Sequence, residues 1–320
     1  MSARPSILCP VDFSDASRGA LRYAAAVAAH FGATLIVMTV EDPLLTEAMD
    51  LGTGVVWKPE DTRAELSDFA KKALGGTPPA AVSVEYEVAV GKPAAEILRL
   101  ARERAADLLV ISTHGLTGMR KLFFGSTTER VLRETTTPVL ITPASDHGPS
   151  RLEDVRELVR RILVPVDLSP ASNYQVRIAR GLAEATDLPV LVLHVIEPVH
   201  SRLAARLHLA HIEAERRALA EDALNELVAA VPDTLHPEAL LAYGDPAEEI
   251  AKVARDRRAR LIVMGLHGSP LLGPRMGSVT YRVMCLAPTL VLALPPQPSA
   301  DLQEVKAQAA RPAAATQPAG

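Results

Sequence analysis

The sequence predicts an α/β protein built from two tandem doubly wound domains, and two observations carry that prediction. The first is a long internal repeat. Ile7-Leu8-Cys9-Pro10-Val11-Asp12-Phe13-Ser14-Asp15-Ala16-Ser17 returns as Ile162-Leu163-Val164-Pro165-Val166-Asp167-Leu168-Ser169-Pro170-Ala171-Ser172, a shift of about 155 positions, roughly one domain length. Gly91-Lys92-Pro93-Ala94 against Gly244-Asp245-Pro246-Ala247, His114-Gly115 against His267-Gly268, and Gly125-Ser126 against Gly277-Ser278 keep nearly the same offset. A period this long is a whole domain, because solenoid units run to only about 20 to 50 residues. The second observation is that short, near-continuous apolar runs alternate with amphipathic stretches. That pattern belongs to a parallel sheet covered on both faces by helices.

Taken in order, the β-branched runs of the first copy predict strands at Ile7 to Val11, Thr34 to Val40, Val82 to Val88, Leu108 to Ser112 and Val139 to Thr142. Helical spacing predicts helices at Asp15 to Phe31, Pro59 to Leu74, Ala94 to Arg104 and Ser126 to Arg133. Ser14 and Ser169 stand where a helix N-cap is wanted, followed by Asp15 and Pro170, residues suited to the first helical position. Leu21, Ala24, Val27 and Ala28 match Val176, Ala179, Leu182 and Ala183 at three-to-four spacing, which predicts one buried stripe per copy. The second copy's strands fall at Ile162 to Val166, Val190 to Val195, Pro237 to Leu241, Leu261 to Met264 and Leu290 to Ala293. Between the second strand and second helix of copy one, Glu41 to Lys58 is irregular and long enough for a lid. Ser201 to Val231 in copy two reads instead as one long helix. The domains run 1–146 and 159–296, joined by a linker over 147–158 that includes part of the stretch Leu152 to Arg161, read as a short helix. Residues 297–320 form an Ala/Pro/Gln-rich tail expected to be disordered.

With 320 residues, 48% hydrophobic and 22% charged, the chain has ample apolar material for two cores. A net charge of -4 gives no long-range basic field, and 3% aromatic content gives little for stacking bases, so neither nucleic acid nor a membrane is an expected partner. No leader or apolar run of membrane-spanning length is seen, and a cytoplasmic location is expected. Cys9 and Cys285 lie in different copies with no second thiol near either, and both read as small core residues.

The repeated polar and glycine positions fall at the carboxyl ends of the predicted strands, where open parallel sheets bind ligands. Asp12 and Asp167 end the first strands, and Gly115 and Gly268 follow the fourth. Gly125-Ser126-Thr127 and Gly277-Ser278-Val279 open the last helices. A helix start offers unpaired N–H donors and a positive dipole end, and glycine lets phosphate oxygens approach the backbone. These residues therefore read as phosphate sites.

Strand-Pro-x-Asp-x-Ser-x-x-Ser followed late by Gly-x-x-Gly, nine residues and Gly-Ser/Thr resembles the universal stress protein family, here in tandem. The resemblance implies a Rossmann-like, adenine nucleotide alpha hydrolase-like fold in each copy, five parallel strands in the order 3-2-1-4-5. It also implies ATP as ligand, with Mg²⁺ bridging its phosphates. Carried over by position, Pro10, Asp12 and Val40 would hold the adenine side, and Ser112, Gly115, Gly125, Ser126 and Thr127 the ribose and phosphates. Copy two supplies Pro165, Asp167, Val195, Gly265, Gly268, Gly277, Ser278 and Val279. The copies depart from the motif differently. Ser112 replaces the first glycine in copy one. Only eight residues separate Gly268 from Gly277 in copy two, with Gly273 and Pro274 among them, so that loop is expected to be reshaped. The resemblance further implies an internal pseudo-dimer of the two domains through their last strands. A homodimer of whole chains and an unspecified protein partner stay open.

Blander readings stand beside these. Asp12 and Asp167 could simply cap a helix, Gly125 and Gly277 could serve a tight turn, and Gly91-Lys92-Pro93 reads as a strand-to-helix turn with Lys92 solvated. His200, His208 and His211 fall toward one helix face without a carboxylate or cysteine at ligand spacing, so a solvated face is the simpler reading than a metal site. His114 and His267 read as structural, and Arg120, Lys121 and Arg275 either offset phosphate charge or face solvent. No Walker A lysine motif and no positioned base for water stand out, so the chain reads as a nucleotide-binding stress-response regulator rather than an enzyme, slow ATP hydrolysis being left open. The competing readings are an interaction scaffold without nucleotide and, least favoured, an adenylate-forming enzyme. The latter would need a Ser-Gly-Gly-x-Asp-Ser loop where Asp12-Phe13-Ser14-Asp15 stands.

Overall fold

In the structure, a computed structural model, residues 4–43, 58–76, 82–113, 124–149, 159–198, 210–266 and 276–296 are described. The predicted lid (44–57), most of the short linker helix, the tail and the loops carrying Gly115 and Gly268 lie outside them. So do His114, Arg120, Lys121, His200, His208, His267, Gly273, Pro274, Arg275 and the side chain of His211.

Copy one runs β1 (Ser6–Pro10), α1 (Asp15–Phe31), β2 (Thr34–Glu41), α2 (Pro59–Ala73), β3 (Ser83–Val90), α3 (Pro93–Glu103), β4 (Leu108–Ser112), α4 (Ser126–Glu134) and β5 (Val139–Thr142). Copy two follows with β6 (Ile162–Val166), α5 (Pro170–Thr186), β7 (Val190–Ile196), α6 (Ala210–Ala229), β8 (Glu238–Tyr243), α7 (Pro246–Asp256), β9 (Leu261–Gly265), α8 (Ser278–Leu286) and β10 (Leu290–Leu294). Strand order is β3-β2-β1-β4-β5-β10-β9-β6-β7-β8, so each copy has the order 3-2-1-4-5 and the two share one ten-stranded sheet. Every pairing is parallel except the seam, where Val139, Leu140 and Ile141 of β5 lie antiparallel to Ala293, Leu292 and Val291 of β10. The outer strands carry charge that discourages further pairing: Arg104 bridges Glu85 and Glu87 on β3, and Arg257 pairs with Glu238 on β8.

The sheet is buried on both faces. One core layer joins Leu21, Ala24, Leu35, Val164, Val176 and Ala179. The other joins Leu8, Ile36, Leu98, Leu163, Ile262 and Val283. Of the predicted stripe, Val27 and Leu182 are half-buried rather than enclosed. They face an apolar cavity of about 280 Å³ between the copies, lined also by Tyr23, Leu140, Ile178 and Leu292. Cys9 is fully buried, and burial pushes its thiol well up. Cys285 is partly buried, packed against the second core layer rather than enclosed in it.

Helix ends follow local chemistry. Ser14 accepts from the Ser17 amide at 3.1 Å, and Gly32 closes α1 at φ 62 with its N–H on the Ala28 carbonyl. Ser169 occupies the N-cap position of α5 but makes no side-chain cap, and the Ser172 amide bonds its carbonyl instead.

The end of copy one is tied down rather than loose. Asp146 accepts from the Tyr23 hydroxyl at 2.7 Å, and Arg260 of copy two reaches it at 3.4 Å. Burial and the Asp146 carboxylate raise the Tyr23 pKa well above its ordinary value. A Cβ at Gly19 would run into the Asp146 carbonyl oxygen, so the close approach requires glycine, whereas the matching position in copy two is Tyr174. Gly19→Ala is therefore expected to destabilise the protein by about 1–3 kcal/mol through overpacking. Denaturant titration measures this, and an unchanged midpoint would show that the segment is not anchored there.

Candidate functional site

In both copies the first and fourth strands pair over two residues and then part. Ile7 and Leu8 pair with Leu108 and Leu109, and Ile162 and Leu163 with Leu261 and Ile262. The parting opens a crevice at the carboxyl ends, at the point where strand order reverses. In copy one this crevice is a cleft of about 230 Å³ whose lining includes Pro10, Asp12, Val40, Ser112, Gly125, Ser126 and Thr127. All the predicted copy-one residues that are described thus meet around one space. Sequence reasoning missed Ser17, Thr39, Ile97, Ile111 and Thr128, which also line it. Pro93 forms the helix start that was predicted for it and lines the cleft as well, while Lys92 is exposed.

Asp12 ends β1 and shapes the turn. Its Oδ1 accepts from the Ser14 amide at 3.2 Å and from the Ser14 hydroxyl at 2.6 Å, holding the cap residue of α1. Between them Phe13 takes a left-handed φ of 63, and Leu168 in copy two takes 60, a conformation that costs energy for a bulky side chain. Phe13 is held by an edge contact with Phe69 at 5.3 Å. Asp12 thus holds the cap residue rather than capping α1 itself, and it also lines the cleft wall.

Gly125 N-caps α4, and among the described residues a Cβ there would meet nothing within 4 Å. Its own amide donates to the Thr113 carbonyl at 3.2 Å. The donors are the next amides, Ser126 and Thr127, which lack intrahelical acceptors and have no side-chain cap. Thr128 Oγ1 donates to the Ser112 carbonyl at 3.1 Å and fixes the helix start against β4. Copy two repeats this lock: Gly277 N donates to Leu266 O at 3.1 Å and Thr280 Oγ1 to Gly265 O at 2.8 Å. The helix start is thus preserved despite the shorter preceding spacing.

The second crevice is otherwise changed. Gln175 stands where copy one has Ala20; with its amide assigned in the orientation that satisfies both ends, it donates to Pro165 O at 3.1 Å and accepts from Gly265 N at 3.2 Å, bridging the parted strand ends. His194, where copy one has Thr39, places Nδ1 2.9 Å from the Val166 carbonyl beside Val195. Asp167 is exposed and accepts from Ser169 N at 3.0 Å and Ser172 Oγ at 3.1 Å. Desolvation acts to raise its pKa, but these bonds outweigh it and hold the carboxyl below its ordinary value. Ser278 and Val279 open α8 as predicted.

Among the described residues no cluster of His, Cys, Asp or Glu could hold a metal ion, and no helix is long and apolar enough to cross a membrane.

A doubly wound sheet with an open helix start at its reversal point defines the class as a duplicated, Rossmann-like α/β protein with a ligand crevice in each half. The universal stress protein family model matches residues 4–143 and 159–295, and the chain belongs to that family. A universal stress protein of Mycolicibacterium smegmatis is 26% identical over 91% of this chain and 97% of its own length. One from Methanocaldococcus jannaschii is 31% identical over 42% of the chain and 79% of its own length. Among solved structures, a functionally unknown protein of Pseudomonas aeruginosa superposes with a TM-score of 0.64 at 18% identity, covering 96% of this chain and 98% of its own. A universal stress protein of Archaeoglobus fulgidus gives 0.60 at 20% identity, covering 91% and 98%.

Because the folded Asp167 pKa is depressed, its stabilising contribution is fully present above the unfolded carboxylate value of about 3.9 and disappears as pH falls through the folded value. Asp167→Asn should be less stable than the parent at neutral pH, with the difference closing at acid pH as the folded carboxyl becomes protonated. Denaturation midpoints at the two pH values test this, and a pH-independent difference would refute it.

Proposed function

We propose that the copy-one cleft binds an adenine nucleotide, ATP being favoured, and that the chain acts as a stress-response regulator rather than as an enzyme. The observation that carries this reading is the convergence of Pro10, Asp12, Val40, Ser112, Gly125, Ser126 and Thr127 on one cleft facing an uncapped helix start. Val40 at the end of β2 and Asp12 at the end of β1 lie where the base would be held. The Ser126 and Thr127 amides and hydroxyls receive phosphate, and the open space at Gly125 admits it. A Mg²⁺ ion would be held largely by phosphate oxygens and water, as that ion's reluctant dehydration favours.

The second crevice keeps the same helix start, but Gln175 occupies Gly265 N and His194 replaces a small side chain. We read it as the weaker site. In this proposal binding biases a conformation or partner contact, and turnover is at most slow.

Protein purified without added nucleotide, then denatured, is expected to release an adenine nucleotide detectable by mass spectrometry, or else to show a raised melting temperature with ATP and Mg²⁺. Gly125→Glu places a carboxylate in the open space at the helix start and should weaken ATP binding on the order of tenfold or more, while Gly277→Glu should have a smaller effect. Neither released nucleotide nor a thermal shift at millimolar ATP would favour the non-binding scaffold. Complete loss of binding from Gly277→Glu alone would reverse the ranking of the two sites.

A further inference from the structure

Copy two carries a second, basic pocket that the nucleotide reading does not use. Arg160, Arg255, Arg258 and Arg260, with Pro288 and Thr289, line a cavity of about 330 Å³. Arg160 precedes β6, Arg255 belongs to the last turn of α7, Arg258 and Arg260 lie in the turn into β9, and Thr289 precedes β10. The pocket is thus at the amino ends of copy two's strands. Because β10 is antiparallel to β5, those amino ends lie on the same edge of the sheet as the carboxyl ends of copy one. Three strand spacings, roughly 14 Å, separate β9 from β4, so the two pockets are distinct.

The fold does not demand these arginines. The equivalent positions in copy one are Pro5, Arg102, Ala105 and Asp107, so only one of the four is basic there and one is acidic. Ala105 takes φ 45 and Arg258 takes φ 53, so the same left-handed turn is built with a small side chain in one copy and a long cation in the other. The whole chain carries a net charge of -4, which makes the local concentration of guanidinium groups stand against its composition. Asp146 offsets Arg260 at 3.4 Å. Among the described residues Arg160, Arg255 and Arg258 have no carboxylate at ion-pair distance. Thr289 is 8% exposed, and its hydroxyl is buried in the pocket wall without a hydrogen-bond partner among the described residues.

We propose that this pocket is an anion site for a diphosphate group. Planar guanidinium forks match phosphate oxygens bidentately. Four cations less the Asp146 carboxylate leave three positive charges. A single phosphate carries about 1.5 to 2 negative charges at neutral pH, so two linked phosphates match the pocket better than one.

The test is calorimetric titration of the full chain with inorganic pyrophosphate at low ionic strength, where such attraction is least screened. Pyrophosphate should bind more tightly than orthophosphate. Arg160→Ala with Arg258→Ala should weaken it at least tenfold. The paired Lys substitutions, which retain charge, should lose less. All variants should melt like the parent, since these side chains are exposed. Gly125→Glu, which blocks the nucleotide cleft, should leave pyrophosphate binding intact. In that background, ADP binding as tightly as pyrophosphate assigns the site to an esterified diphosphate, and weaker ADP binding assigns it to the free ion. Absence of pyrophosphate binding, indifference to the Ala pair, or loss in Gly125→Glu would each overturn the proposal, the last showing that the anion had gone to the nucleotide cleft.

Discussion

The antiparallel pairing of β5 with β10 is the constraint on which the rest of the molecule depends. A five-stranded unit standing alone would expose β5, a short and wholly buried strand with unmet backbone groups and apolar side chains on both faces. Joining it to β10 satisfies those groups and fuses the core layers above and below the sheet. The same seam brings the last helices together, and Phe124, next to Gly125, packs edge-on against Tyr281 of α8 at 4.9 Å. The residue that leads into copy one's open helix start is therefore braced by a side chain from copy two. The duplication is not two independent modules in a row, because each half supplies part of the other's setting.

Antiparallel joining also distributes function over the sheet. Each copy's crevice lies at its own carboxyl edge, so the two crevices face opposite edges, and each edge pairs one copy's carboxyl ends with the other's amino ends. On the edge that holds copy one's cleft, copy two contributes its arginine turn, tied back to the end of copy one through Arg260 and Asp146.

Much of this was legible in the sequence because the signals were periodic or repeated. Near-continuous apolar runs located all ten strands to within two residues, and the recurring Asp-x-Ser and Gly-Ser steps marked both crevices. What escaped was set by geometry across elements. Ser17, Thr39 and Thr128 reach the cleft only because β1 and β4 part after two pairs, and no local pattern announces where strands separate. The bond of the Gly125 amide to the Thr113 carbonyl is of the same kind, a contact between the end of β4 and the start of α4 that no local pattern marks. Ser169 shows the limit of positional analogy. It holds the same cap position as Ser14, yet it makes no side-chain bond to the helix amides.

The inequality of the halves has its origin in how a duplicated fold can diverge. Positions that hold the sheet and the helix starts are bound by long-range packing, and both copies retain them, down to the lock of Thr128 on Ser112 and Thr280 on Gly265. Positions facing a crevice are constrained only by what the crevice holds. Exchanging Ala20 for Gln175 lets a side chain satisfy backbone groups that are left to other partners in copy one, and exchanging Thr39 for His194 fills space at the end of the second strand. In copy two these backbone groups are thus met from within the crevice wall. Under the nucleotide reading proposed above, a ligand entering the second crevice would have to displace bonds of similar strength, so its net gain there would be smaller.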